Sequence, residues 1–236
     1  MRNRLASALA IAATTIASLA CEGTATGSMG TAPTGDVRVR LINGLPTSQS
    51  LDFLIDGQVT ATGVTYGAAS PYVSTSVGSH RLQARASVAG TMLVDFTRDL
   101  SSQGAFSLIP APGLNQFGAL FITDDPTPVA GQARLRTVHV AAAAPTAVTV
   151  FITAPTADLG SSTPAVPTLL FATASDYVQL PPGTYRVRIT RALTPNEIVV
   201  DLGNVTVGSG SVRTLLVTDA PGGGLPTSLS VVSDGT

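Results

Sequence analysis

From Val37 onward the chain alternates apolar and polar residues with a period of two. Val37, Val39 and Leu41 lie on one side, with Arg38, Arg40 and Ile42 on the other. Tyr185, Val187 and Ile189 alternate with Arg186, Arg188 and Thr190 in the same way. Such alternation predicts strands with one buried face and one largely charged face. Leu51–Ile55, then Asp56-Gly57, then Gln58-Val59-Thr60 reads as a hairpin, because Asp-Gly tolerates the positive φ angles of a tight turn. Pro181-Pro182-Gly183 predicts a second turn leading into the strand that carries Tyr185. No stretch after residue 21 has helical spacing; the Ala-rich run at Val140–Ala147 is interrupted by Pro145. About seven strands per half are expected, spaced as in a β-sandwich.

The pattern occurs twice. Val37–Ile42 answers to Ala133–Val138 at an offset of 96, while Tyr72-Val73 and Gly78–Leu82 answer to Tyr177-Val178 and Gly183–Val187 at an offset of 105. Self-similarity at this period predicts two structural repeats. The nine-residue change of offset puts an insertion in the second copy, and the Pro/Ser/Thr-rich run Ala154–Pro167 reads as that longer loop. The fold expected is all-β: two tandem immunoglobulin-like β-sandwich domains behind a signal peptide and flexible tether. The divisions are residues 1–20 (signal peptide), 21–35 (lipidated cysteine and tether), 36–124 (first repeat), 125–132 (linker) and 133–236 (second repeat).

Arg2 and Arg4 precede an uncharged, mostly apolar stretch, Leu5–Ala20. A helix of that length rises about 24 Å, short of a bilayer core of roughly 30 Å, so a cleaved signal fits better than a permanent span. It ends in Ala17-Ser18-Leu19-Ala20-Cys21, which resembles a bacterial lipobox, although Ser18 stands where Leu is usual. The resemblance implies diacylation of Cys21 and export, with the folded part held outside the cytoplasm at the cell membrane or outer membrane. Cys21 is the sole cysteine, so no internal disulfide is available. The Gly- and Thr-rich segment after it reads as a flexible tether.

Two further features of the second half carry a family resemblance. One is Arg134-Leu-Arg136-Thr-Val-His139 followed by Pro145 and the strand Val148–Phe151; the other is Tyr177-Val-Gln-Leu-Pro-Pro-Gly183-Thr-Tyr185-Arg-Val187. Together they resemble the family called domain of unknown function 4397. The first copy has Leu51–Gly57 in the matching place, and Asn43 where the second has His139. The resemblance implies tandem β-sandwich modules of secreted or surface proteins and implies no activity.

Composition narrows the function. Thirteen basic residues, all Arg, face 14 acidic ones; without residues 1–20 the balance is 11 against 14, a net −3. That is no basic surface for nucleic acid. His80 and His139 are the only histidines and fall in different copies, and no G-x-S-x-G elbow occurs, so a nucleophile–base set is not in evidence. His80 aligns with Tyr185 as an ordinary strand position, and His139 sits where it would cap a backbone group. The two Glu residues, Glu22 and Glu197, do not make a glycosidase pair. No metal site is expected; Asp124 and Asp125, at the junction of the copies, are the carboxylates with calcium-compatible chemistry, and a solvated linker is their simpler reading. No cofactor is called for. Trp is absent, and Tyr72 and Tyr177 occupy matching framework places, so no aromatic sugar platform stands out.

The sequence therefore points to a non-enzymatic, lipid-anchored envelope protein acting as a surface binding or structural module. Its expected partners are the membrane and an envelope polysaccharide or protein ligand. A hydrolase with an unfamiliar site and a self-assembling adhesion or spacer protein are the alternatives. Loops at the sandwich ends, Ala154–Pro167 first, are the expected binding elements.

Overall fold

The computed structural model describes residues 36–47, 49–101, 103–114 and 118–234, all within one compact unit, Pro33–Thr236. The signal peptide, Cys21 and the tether lie outside the described residues. Among the described residues every regular element is a strand.

The first repeat contains β1 (Asp36–Leu41), β2 (Leu51–Ile55), β3 (Gln58–Val64), β4 (Val73–Ser76), β5 (Gly78–Ala86), β6 (Met92–Leu100), β7 (Gly104–Pro110) and β8 (Ala119–Asp124). They form two sheets, β4-β1-β7-β8 and β3-β2-β5-β6. The second repeat contains β9 (Ala133–His139), β10 (Ala147–Thr153), β11 (Val166–Leu170), β12 (Thr173–Ala174), β13 (Val178–Leu180), β14 (Gly183–Arg191), β15 (Thr194–Val207), β16 (Val212–Thr218) and β17 (Ser228–Ser233). Its sheets are β12-β9-β16-β17, with β13 also on β9, and β11-β10-β14-β15. Each repeat is thus a β-sandwich, with eight described strands in the first and nine in the second. In both, the opening strand runs parallel to the penultimate one, β1 to β7 and β9 to β16, while the other pairs are antiparallel.

Local sequence accounts for the turns. The Asp56-Gly57 hairpin forms as read, with φ of 52° and 80° at the two residues, the primed geometry that matches strand twist. In the second repeat this two-residue turn is replaced by the excursion between β10 and β11. The Pro181-Pro182 turn also forms, and the Tyr185 hydroxyl donates to the Pro181 carbonyl at 2.8 Å. The long excursion is tied down: Arg188 Nη2 donates to Thr153 Oγ1 and to the Ala157 carbonyl, each at 2.9 Å.

The period-two pattern decides what each face buries. Val37, Val39 and Leu41 pack with Leu51, Phe53, Leu82 and Leu108 inside the first sandwich. Leu135 packs with Val187, Val207 and Leu215, and Val148 and Val150 with Ile189 and Val217, inside the second. The opposite face of β1 and β9 was expected to be charged and solvated. It is buried instead, because the two sandwiches pack together through these sheets. Ile42, Ile109 and Ala111 of the first repeat meet Val138, Val140, Leu216 and Val232 of the second in one buried cluster. The layers therefore stack in the order β3-β2-β5-β6, β4-β1-β7-β8, β12-β9-β16-β17, β11-β10-β14-β15.

Burial of this kind makes the inter-repeat contact a third core. Ile42 is fully buried within it. We predict that Ile42→Ala lowers unfolding free energy by about 2–5 kcal/mol, the range for a core truncation. Urea denaturation checks this; a loss below about 0.5 kcal/mol, as for a surface change, would show the contact to be incidental.

Candidate functional site

The polar half of the inter-repeat contact holds the densest chemistry of the molecule. Period two places Arg40 on β1 beside Ile42, Ser107 on β7, and Asp124 at the end of β8, all facing the second repeat. Arg136 on β9, Thr214 on β16 and Asp234 just after β17 face back. Arg40 Nη2 donates to Asp234 Oδ1 at 2.6 Å, and Arg136 Nη2 donates to Asp124 Oδ1. Each arginine thus donates to the aspartate of the other repeat, and its Nε lies 3.4 Å (Arg40–Asp124) or 3.9 Å (Arg136–Asp234) from the aspartate of its own. The remaining donors repeat the symmetry. Arg40 Nη1 donates to the Ser233 carbonyl at 2.8 Å, and Arg136 Nη1 to the Thr123 carbonyl at 2.9 Å. Arg40 Nε donates to Ser107 Oγ at 2.8 Å, and Arg136 Nε to Thr214 Oγ1 at 2.9 Å. These hydroxyls pass the contact on, Ser107 to Asp124 at 2.6 Å and Thr214 to Asp234 at 2.7 Å.

Tyr72 and Tyr177 close the two ends. The Arg40 guanidinium lies 4.7 Å from the Tyr72 ring centre and the Arg136 guanidinium 4.9 Å from that of Tyr177. Their hydroxyls donate to Asp124 Oδ2 at 2.5 Å and Asp234 Oδ2 at 2.8 Å. All four charged side chains are at most 2% exposed. Burial, with the neighbouring carboxylate, pushes both phenols well above their ordinary range and keeps them donors. Burial alone would pull the Arg40 guanidinium down, but Asp234 and Asp124 outweigh it and hold it above its ordinary value. Two charges of each sign, every one hydrogen-bonded, make a neutral buried network.

This placement corrects the solvated-linker reading of Asp124, which is a buried structural acceptor because the second repeat supplies Arg136. Asp125, the next residue, is exposed at the surface, where Arg134 Nη2 donates to it at 2.6 Å and, with Thr127, draws its carboxyl down to about 2. Both carboxylates are thereby engaged with arginines. Among the described residues no three His, Cys, Asp or Glu side chains converge.

The histidines are also spent on structure. His139 Nε2 donates to the Pro145 carbonyl at 2.9 Å, and its Nδ1 faces the Ala141 N–H at 3.4 Å. Asn43 does the same work in the first repeat: its amide faces the Gln49 carbonyl at 3.4 Å, and its Oδ1 accepts from the Leu45 N–H at 3.0 Å. His80 lies on β5 with Nδ1 2.7 Å from Asp56 Oδ2 and Nε2 2.9 Å from the Ser76 carbonyl. The two rings are in different repeats; His80 Nε2 also lies 3.4 Å from the hydroxyl of the exposed Ser76, but its closer partner is the Ser76 carbonyl.

What remains outward is shape. One open cleft of about 640 Å³ lies between the repeats, lined by Gln49, Thr65, Tyr66 and Pro221. Another, of about 590 Å³, borders the ionic network at Asp125, Arg134, Ser175 and Tyr177. A further one, of about 620 Å³, is in the second repeat and is lined by Pro145, Val199, Ile198, Leu225, Arg191 and Glu197. Ile198 and Leu225 are 51% and 67% exposed at its rim, and Arg191 bonds Glu197 at 2.5 Å beside them. The sequence reading missed the inter-repeat network and this cleft. The network had a signal: the same polar residue types recur at matching places in both copies, on the face turned away from the sandwich core.

Comparison with known proteins bears on the same residues. Residues 37–151 match the family described as domain of unknown function (DUF4397). The matched stretch takes in the first repeat, the junction and the first two strands of the second, just under half of the chain. No curated protein matches. Among solved structures, a CBM26-family module, CBMbc of Eubacterium rectale Amy13K in complex with maltoheptaose, aligns at 11% identity and a TM-score of 0.27, over 82% of this chain and 95% of that one. A candidate adhesin from Bacteroides ovatus aligns at 10% identity and a TM-score of 0.24, over 83% of this chain and 92% of that one. Similarity at this level assigns no ligand.

Two outcomes follow from the site. Asp124→Asn leaves Arg136 buried against a neutral partner and should cost about 3–5 kcal/mol of stability, measured by denaturation; a change under about 1 kcal/mol would refute the pairing. Burial holds the His139 pKa below its ordinary value, with the Pro145 carbonyl and Asp219 opposing incompletely. The unfolded chain then takes up a proton before the folded one does. Stability is therefore fully present above pH about 6.5 and falls as pH drops from there towards the folded value. His139→Asn, which adopts the first repeat's solution, should flatten that part of the pH–stability curve; an unchanged slope would exclude His139 as its source.

Proposed function

We propose that the chain is a lipid-anchored envelope protein whose folded part is a non-catalytic binding module, the repeats 36–124 and 133–236 being presented as one body. The observation that carries this reading is that the four buried charges between the repeats are committed to holding them together. Arg40, Arg136, Asp124 and Asp234 satisfy one another, and His139 holds a loop. A nucleophile, a base and an orienting group must meet at an accessible point for hydrolysis; these residues are spent elsewhere, and His80, held by Asp56, turns its Nε2 to the Ser76 carbonyl at 2.9 Å ahead of the Ser76 hydroxyl at 3.4 Å. The lipobox-like run Ala17–Cys21 supports anchoring through Cys21 and export, and the Gly/Thr-rich stretch behind it supports a stand-off from the membrane.

The working surface in this reading is the cleft at Pro145, Val199, Ile198 and Leu225. Its lining mixes aliphatic side chains with Thr227 and one ion pair at the rim, and Trp is absent from the chain. Aliphatic side chains beside a charged pair suit a protein segment better than a sugar ring, which is usually met by an aromatic face. A protein of the envelope is therefore the ligand class favoured over a polysaccharide.

Two measurements test this. Cys21→Ser should move the protein from the membrane fraction to the soluble exported fraction, and retention in the membrane would remove the lipid anchor from the account. Residues 36–236, immobilised, should retain an envelope protein saturably, and Ile198→Asp should cut that retention at least tenfold while leaving the fold intact. Retention of purified envelope polysaccharide instead, or retention indifferent to Ile198→Asp, would overturn the assignment of this cleft.

A further inference from the structure

The inter-repeat surface is built twice from the same parts. Arg40, Tyr72, Ser107, Ile109 and Asp124 on the first repeat correspond to Arg136, Tyr177, Thr214, Leu216 and Asp234 on the second. Within this network every arginine contact from one side is returned from the other with the same atom types, while the Tyr66 hydroxyl to the Asp219 carbonyl and the Gly222 N–H to the Pro46 carbonyl are bonds of one direction only. That reciprocity defines an isologous interface, the kind that joins two copies across a two-fold axis. Each half contributes one cation and one anion, so neither surface carries net charge into the contact. An apolar half, Ile42, Ile109 and Ala111 against Val138, Val140, Leu216 and Val232, completes it.

None of these contacts uses the covalent connection. The junction, residues 125–132, runs from the end of β8 to the start of β9. Its own bonds are local to the second repeat's edge: Asp125 and Thr127 accept from Arg134, and the Gly131 N–H donates to Ser209 Oγ at 2.9 Å. Docking and linkage are therefore separable.

We propose that this surface is a docking site for a second copy of this chain: the first repeat of one molecule closes on the second repeat of another. The exchanged pair contains two interfaces identical to the one seen within the chain. Nothing in the contact distinguishes a repeat supplied in cis from one supplied in trans. The junction alone favours the closed monomer, by raising the effective concentration of the attached repeat. For a chain tethered to a membrane, exchange couples two anchored molecules without any new surface.

Junction length is the lever. Removing Pro126–Ala130 from the full chain should forbid closure in cis, so light scattering should report a folded dimer at micromolar concentration. A 12-residue Gly/Ser insertion at the same point should stay monomeric, and a folded monomer from the shortened chain would overturn the proposal. Because the shortened chain can misfold, a second measurement uses the full-length junction. A protease site replacing Pro128–Gly131 is cleaved after folding, in isotopically light and heavy preparations. These are mixed, exposed briefly to denaturant at the unfolding midpoint, and returned to buffer. Native mass spectrometry should then show mixed light–heavy pairs of halves. Arg40→Ser should lower the yield of pairs at least tenfold. Halves that separate with the network intact, or pairs indifferent to Arg40→Ser, would overturn the assignment.

Discussion

The structure depends on a crossed pair of buried charges. Arg40 donates to Asp234 and Arg136 to Asp124, so each arginine takes its direct carboxylate hydrogen bond from the other repeat while lying at ion-pair distance from the aspartate of its own. A buried arginine is tolerable only when its donors are met. Each repeat therefore carries a charge-balanced surface whose arginine has all its donors met in the buried state only when the other repeat supplies a carboxylate and a carbonyl. The four-layered stack follows from this requirement together with the apolar cluster next to it.

Once the inner sheets face each other, the rest of the molecule is ordered by what they leave free. The outer sheets, β3-β2-β5-β6 and β11-β10-β14-β15, keep their polar faces in water, with surface pairs such as Arg81–Asp95 and Arg186–Asp201. Such exposed pairs add little stability. The chemistry that looks reactive in a list of residue types is located at the centre of the stack or in loop anchors. Aliphatic surface is left at the sandwich ends, where the Ile198–Leu225 cleft lies. Folding and presentation are thus served by different residues.

Much of this was legible in the sequence. The repeats, the Asp-Gly hairpin, the Pro-Pro-Gly turn and the sandwich class follow from period-two alternation and turn chemistry. His139 was read as a backbone cap, and its equivalence with Asn43 shows why the two residues can interchange there: an imidazole and a carboxamide each present a donor and an acceptor about the right distance apart, the second N–H of Asn43 going to the Val64 carbonyl. What escaped was the destination of the charged face of β1 and β9. Alternation tells which residues share a face but not whether that face meets water or another sheet. Arg40 looks solvated until Asp234, nearly two hundred residues away, is placed beside it. Asp124 was misplaced on a solvated linker for the same reason, since its partner lies in the other repeat.

The most direct test of the crossed charge pairs is scanning calorimetry of residues 36–236, read with the Arg40→Ser variant. The account predicts one transition for the unaltered protein, with calorimetric and van't Hoff enthalpies equal, because the repeats share a core and a charge network. Arg40→Ser should lower the midpoint and split the transition into two. Two independent transitions in the unaltered protein, or a single transition unmoved by Arg40→Ser, would contradict it.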